Sequence, residues 1–85
     1  MLVEDMKTTK WFLEISFPNP NRISYRPICE VANEGHVRIL NEDYLNDETW
    51  ESEVMFFDTY IQAEDFARDL NSQFGYFVRV MEYVT

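Results

Sequence analysis

Cys29 and His36 carry the most recognisable chemistry of this 85-residue chain, because each is the only residue of its type. They fall on neighbouring strands of a predicted hairpin, where a thiol beside an imidazole could act as a nucleophile and its base. With the hairpin loop at 33–35, however, His36 opposes Ala32 while Cys29 opposes Ile39. The two side chains are then about 10 Å apart at roughly 3.3 Å per residue. We therefore expect Cys29 to be a buried structural thiol and His36 to be a surface residue.

Carboxylates are the other candidates for chemistry, and several of them are clustered. The acids best spaced to share a divalent cation are Asp43, Asp47, Glu48 and Glu51. No glycine lies between residues 36 and 74, so the loop of a calcium site is not predicted. One cysteine and one histidine cannot form a zinc cluster, and the chain has no glycine-rich phosphate loop. We expect no catalytic residue, no metal and no cofactor, and an enzyme based on paired carboxylates is the third class of function considered.

The net charge of -9 is concentrated in one third of the chain. The first 40 residues hold five acids and five bases, which cancel. From Asn41 to Leu70 there are ten acids, and Arg68 is the only base. Such an acidic excess opposes direct binding to nucleic acid or to anionic membrane, because phosphate binding depends on Lys and Arg.

Two interpretations of the acidic segment stay open. It can be a solvated face that keeps the domain soluble. Alternatively, it copies the spaced charges of a nucleic-acid backbone and docks onto a basic groove of another protein, with Tyr44, Leu45 and Trp50 as aromatic and apolar anchors. The candidate partner-binding residues are Glu42, Asp43, Tyr44, Asp47, Glu48, Trp50, Glu51, Glu53, Asp65 and Asp69. The hypothesis is an inhibitor or adaptor of the phage or mobile-element type that blocks a nucleic-acid-binding enzyme, such as a defence nuclease.

The elements that position these residues are predicted from hydrophobic periodicity. Alternation over residues 11–17 predicts a strand, and 18–21, which contains two prolines, should end it. Residues 23–31 and 36–40 form a predicted hairpin in which Gly35 supplies a positive φ. Residues 41–53 have no clean period and are predicted to be a loop or an irregular strand extension, while 54–57 should be a short buried strand.

A helix from Tyr60 to Phe74 is predicted by apolar residues at helical spacing. Thr59 and Gln62 fit a capping box at its start, and Gly75 is placed to end it. Residues 76–84 alternate as a final strand. The order β-β-β-β-α-β predicts a single small α+β domain at 10–85, an antiparallel meander of four to five strands with one helix on one face, preceded by a flexible arm at 1–9.

One helix cannot cover both faces of such a sheet, so the second face should carry exposed or partnered aromatic residues. The residues expected there are Phe12, Phe77, Met81 and Tyr83. They can lie in the open among polar neighbours, or they can form the interface of a homodimer or of another partner. The alternative function is therefore a structural or assembly subunit that associates through this face, with the acids only solvating it.

Composition places the chain in a broad class. It is 46% apolar and 16% aromatic, which is typical of a folded domain and not of a disordered acidic tail. A single cysteine favours a reducing cytoplasm. No charged start followed by an apolar run is present, so neither a signal peptide nor a membrane span is expected.

Overall fold

The computed structural model describes residues 8–19, 22–40 and 50–84. Half of the predicted partner-binding residues lie outside these ranges, as do Leu45 and positions 1–7 of the predicted arm. Those partner-binding residues are Glu42, Asp43, Tyr44, Asp47 and Glu48. The described part confirms the predicted fold class, an α+β domain with one helix on an antiparallel sheet.

The sheet is built around its first strand, β1 (Thr9–Asn19). One edge of β1 pairs with β5 (Phe77–Val84), and the other edge pairs first with β4 (Phe56–Phe57) and then with β2 (Arg22–Val31). A three-residue strand, β3 (Val37–Ile39), pairs with β2. Since β4 and β5 both run antiparallel to β1, they are parallel to each other with β1 between them.

Helix α1 (Tyr60–Phe74) connects β4 to β5 and has the predicted bounds. The Thr59 hydroxyl accepts a hydrogen bond from the Gln62 amide at 3.2 Å, and the Gln62 side chain accepts one from the Thr59 amide at 3.3 Å. Gly75 ends the helix at φ 73°, and its amide donates to the Asn71 carbonyl at 2.8 Å. The predicted capping box and left-handed terminus are therefore confirmed.

The predicted strand ends need correction in several places. β2 begins at Arg22, β3 is limited to residues 37–39 and β5 begins at Phe77, each within one residue of the predicted bound. β1 continues to Asn19. Pro18 does not end the strand, because it pairs in register with Ile23 of β2. β1 also begins at Thr9, one residue inside the predicted arm, because Thr9 pairs with Val84. The fourth strand is limited to residues 56–57, since only these two pair with β1.

The β2–β3 hairpin follows the predicted register only near its loop. Val31 pairs with Val37 as expected, and Gly35 has the predicted positive φ at 80°. A bulge between Ile28 and Glu30 then shifts the pairing by one residue, so that Ile28 opposes Ile39. The expected pairing of Cys29 with Ile39 is therefore wrong, because the bulge lies at Cys29.

Each face of the sheet has its own hydrophobic core. The helix-side core joins Leu13, Ile15 and Ile28 to Ala63, Ala67 and Leu70 of α1. The opposite core consists of Phe12, Cys29, Leu40 and Val54, with Trp50, Phe56, Met81 and Tyr83 packed against it. Side chains alternate between the two faces of a strand, so successive residues of β1 enter different cores.

Candidate protein-binding surface

A groove runs along the side of α1 that faces β4 and the β2–β3 loop. It consists of two open depressions of about 470 and 260 Å³, which adjoin at Phe66 and Asp69. Its principal apolar lining residues are Phe57, Phe66, Leu70 and Phe74, and its carboxylates are Glu34, Asp58, Asp65 and Asp69. We call it the acidic groove, since no lysine or arginine is among the described residues that line it.

Helical spacing places two of these carboxylates on one side of α1. Asp65 and Asp69 are four residues apart, and side chains at that spacing are neighbours on a helix surface. Asp58 joins them from the position before the Thr59 cap. Phe66 lies among them and packs against Phe57 of β4, with ring centroids 5.4 Å apart. The groove therefore combines an aromatic lining with an acidic rim.

The acids of the groove are only partly neutralised. Arg68 donates from Nη2 to Glu64 Oε1 at 2.9 Å and from Nη1 to Asp65 Oδ1 at 3.3 Å. Within the described ranges, no lysine, arginine or histidine forms an ion pair with Asp58 or Asp69. Like charges at the spacing of Asp65 and Asp69 repel by about 0.2–0.5 kcal/mol. A cationic ligand would relieve this repulsion.

The β2–β3 loop closes the far end of the groove. Gly35 is buried at φ 80° against the ring of Phe74, and a Cβ atom there would lie 2.6 Å from Phe74 Cε1. The Tyr76 hydroxyl donates to the Gly35 carbonyl at 3.0 Å. Glu34 is the only described residue other than glycine with a positive φ, at 67°. The loop thus fixes Glu34 at the groove in a conformation that costs about 1–2 kcal/mol for such a residue.

Trp50, predicted as a partner-binding anchor, has a role within the fold. Its ring lies 5.7 Å from Phe12, 5.6 Å from Tyr83 and 6.5 Å from Phe56, measured between centroids. Trp50 therefore has a structural role, because it covers the core opposite the helix. It begins a short 3-10 turn, Trp50–Ser52, within the segment that was expected to be irregular.

The four predicted acids that the structure describes do not form one patch. Asp65 and Asp69 lie together at the acidic groove, on the helix side of the sheet. Glu51 belongs to the opposite side, where its carboxylate lies near the Tyr83 hydroxyl. Burial and the negative charge of Glu51 raise the pKa of Tyr83 above its ordinary value. Glu53 is exposed and follows Glu51 in the chain.

The four residues expected to form an association face differ in exposure. Phe12 is only 7% exposed, beneath Trp50 and Phe56. Met81 and Tyr83 are half-buried in the same core. Phe77 is 62% exposed and is the one member of the four that forms open apolar surface. The chain itself thus supplies most of the cover that the second face was expected to need.

Cys29 is buried and His36 is exposed, as predicted. The Cys29 thiol is buried with Phe12, Leu40 and Val54, and this burial raises its pKa above the ordinary value. The His36 side chain is 79% exposed, with Nε2 4.0 Å from Glu34 Oε2. Over 8–19, 22–40 and 50–84, no group of three His, Cys, Asp or Glu residues is arranged to bind a metal ion.

Sequence reasoning missed Glu34, Asp58 and Phe66 as members of a binding surface. The sequence does contain a local signal for Asp58 and Phe66. Asp58 directly precedes the helix cap, and Phe66 lies three residues before Asp69, on the same flank of the helix. Glu34 has no such signal. The five acids and five bases of the first 40 residues balance, so the charge of Glu34 does not stand out in the sequence. Only folding brings Glu34 to α1.

Comparison of the chain with known protein families, with curated proteins and with solved structures found no match. No helix among the described residues is long and apolar enough to cross a membrane.

Proposed function

We propose that this chain is a small acidic binding protein, an inhibitor or adaptor that docks its carboxylates onto a basic surface of a nucleic-acid-binding protein. The concrete version is a cytoplasmic protein of phage or mobile-element type that occupies the nucleic-acid groove of a defence nuclease. No catalytic residue, metal or cofactor enters this proposal.

The observation that supports it best is the composition of the acidic groove. Asp58 and Asp69 have no ion-pair partner among the described residues, and they lie beside the aromatic side chains of Phe57 and Phe66. A face that serves only solubility gains nothing from such neighbours, whereas binding surfaces combine apolar anchors with a charged rim. The carboxylates would also steer a basic partner toward the groove and raise its association rate at low salt.

Capture of partners from the native host, followed by competition with nucleic acid, tests the proposal. A partner held by mimicry should be released by duplex DNA or by RNA, and its affinity should fall as salt rises. Asp69→Lys should weaken capture, and so should the joint change of Asp47, Glu48, Glu51 and Glu53 to lysine. Glu82→Lys is the matched control for the single reversal, because it makes the same charge change on β5 away from the groove.

The result that contradicts mimicry is a captured partner that nucleic acid does not displace and that binds all reversed variants equally well. Trp50 is tested separately with Trp50→Phe, because a change to alanine would also remove its packing on Phe12.

Exposed apolar surface on β5 favours a second candidate function, assembly through this side of the sheet. Phe77 is 62% exposed on the face of β5 that also carries Met81 and Tyr83, and in the described chain β5 has a partner strand on only one edge. If association uses this surface, Phe77→Ser should abolish it in sedimentation experiments, and added salt should preserve or strengthen it. Association that survives Phe77→Ser and weakens with salt would exclude this candidate.

A further inference from the structure

We infer that the acidic groove binds an extended segment in which apolar residues alternate with arginine or lysine, projecting from the basic partner. This inference rests on the proposed function, and it specifies the chemistry of the partner at one site. It is carried by the length of the groove, its apolar lining and the spacing of its carboxylates.

The length of the groove fits a short extended peptide. Its lining on α1 runs from Gln62 to Phe74, which spans about 18 Å at 1.5 Å per residue. An extended chain covers that distance with about five residues. An extended segment of about five residues therefore matches the length of the groove.

The carboxylates of the groove favour cationic side chains in that segment. Alternate residues of an extended chain are about 6.6 Å apart, and neighbours at the spacing of Asp65 and Asp69 lie about 5–6 Å apart. Two cationic side chains separated by one residue can therefore reach both carboxylates. Apolar residues of the segment can pack on the aromatic lining formed by Phe57 and Phe66.

Glu34 adds a fourth carboxylate to the groove, from the β2–β3 loop rather than from α1. Its side chain is 86% exposed at the end of the groove, so a cationic side chain of the segment can reach it. The loop holds its backbone in the left-handed region at φ 67°, beside Gly35 at φ 80°.

The test is titration of the isotope-labelled protein, observed by NMR, with a pentapeptide of sequence leucine, arginine, phenylalanine, arginine, leucine, blocked at both ends. Amide shift changes should concentrate at Gly35, Phe66 and Asp69. A peptide with glutamate for arginine should not bind, and one with serine for the three apolar residues should bind at least tenfold more weakly, because burial of such side chains contributes about 1.5–3 kcal/mol each. Shift changes elsewhere, or equal binding by all three peptides, would overturn the assignment.

Two neighbouring substitutions supply the matched control. Gln73→Lys adds a positive charge within the groove, while Ser72→Lys adds the same charge one residue away, at an exposed position outside it. Gln73→Lys should weaken the pentapeptide about threefold to fivefold, and Ser72→Lys less than twofold. Equal effects of the two lysines would show that only net charge matters and would refute a defined site.

Glu34→Asn separates binding from folding, because asparagine tolerates the left-handed conformation and lacks the charge. It should weaken the pentapeptide without lowering the unfolding temperature. Unchanged peptide affinity would remove Glu34 from the site. If the pentapeptide fails to bind while a host partner is still displaced by nucleic acid, the groove assignment is wrong and the proposed function stands.

Discussion

Gly35→Ala should strongly destabilise the domain, because this glycine is constrained in two independent ways. Its φ of 80° lies in the region that L-residues with a side chain avoid, and its missing Cβ leaves room for the Phe74 ring. The contact joins the β2–β3 loop to the end of α1 and closes the acidic groove. The substitution therefore tests whether this closure is held by packing.

The two contributions can be estimated separately. A left-handed conformation costs alanine about 1–2 kcal/mol. The new Cβ would lie 2.6 Å from Phe74 Cε1, whereas carbon atoms pack best at about 3.5–4.0 Å. The ring must therefore move by about 1 Å, and overpacking of this kind costs about 1–3 kcal/mol. The total of about 2–5 kcal/mol is a large part of the roughly 4–13 kcal/mol expected for a domain of this length.

Urea unfolding monitored by circular dichroism measures the total loss of stability caused by Gly35→Ala. A double-mutant cycle with Phe74→Ala separates the conformational cost from the overpacking cost. Without the ring, Gly35→Ala should cost only the conformational term of about 1–2 kcal/mol. An equal cost in both backgrounds would show that the ring is not the obstacle. A cost below about 1 kcal/mol in the wild-type background would contradict the left-handed loop itself.

Three further predictions concern elements outside this contact. Thr59→Ala should cost about 1 kcal/mol in urea unfolding by removing the helix cap, while Thr59→Ser should retain most of it. Trp50→Ala should cost about 2–3 kcal/mol, since it uncovers Phe12, and Trp50→Phe should cost less. Because burial raises the pKa of the Cys29 thiol, folding favours its neutral form, so the free energy of unfolding should fall as pH rises above about 8.5, and Cys29→Ala should reduce that fall.

Signals that lie close together in the sequence predicted local structure well. Thr59, Gln62 and Gly75 define the ends of α1 by hydrogen bonds within a few residues of each other, and the helix has the predicted bounds. Alternation over residues 11–17 predicts the first strand, and its alternate residues Leu13 and Ile15 lie together in the helix-side core. These predictions succeeded because the deciding interactions do not depend on the remainder of the fold.

Interactions between distant residues could not be predicted. Tyr76 and Gly35 are 41 residues apart, and no periodicity indicates that their hydrogen bond closes a groove. The bulge at Cys29 shifts the register by one residue, and the only local sign of it is Pro27, two residues earlier. The acidic neighbours of Trp50 in the sequence favour a partner-binding anchor, and they give no sign that its neighbours in space are Phe12 and Tyr83.

The separation of the acids onto two sides of the sheet limits how a partner can bind. Asp69 lines the groove beside α1, whereas Glu51 contacts Tyr83 on the opposite side, and the two carboxylates have no shared partner. Reversals at sites that share no partner add in free energy. If a partner contacts both sides, its loss of affinity from Asp69→Lys should therefore persist after Glu51→Lys. A partner that fits only the groove should be insensitive to Glu51→Lys, so this pair of variants measures how far the interface extends around the sheet.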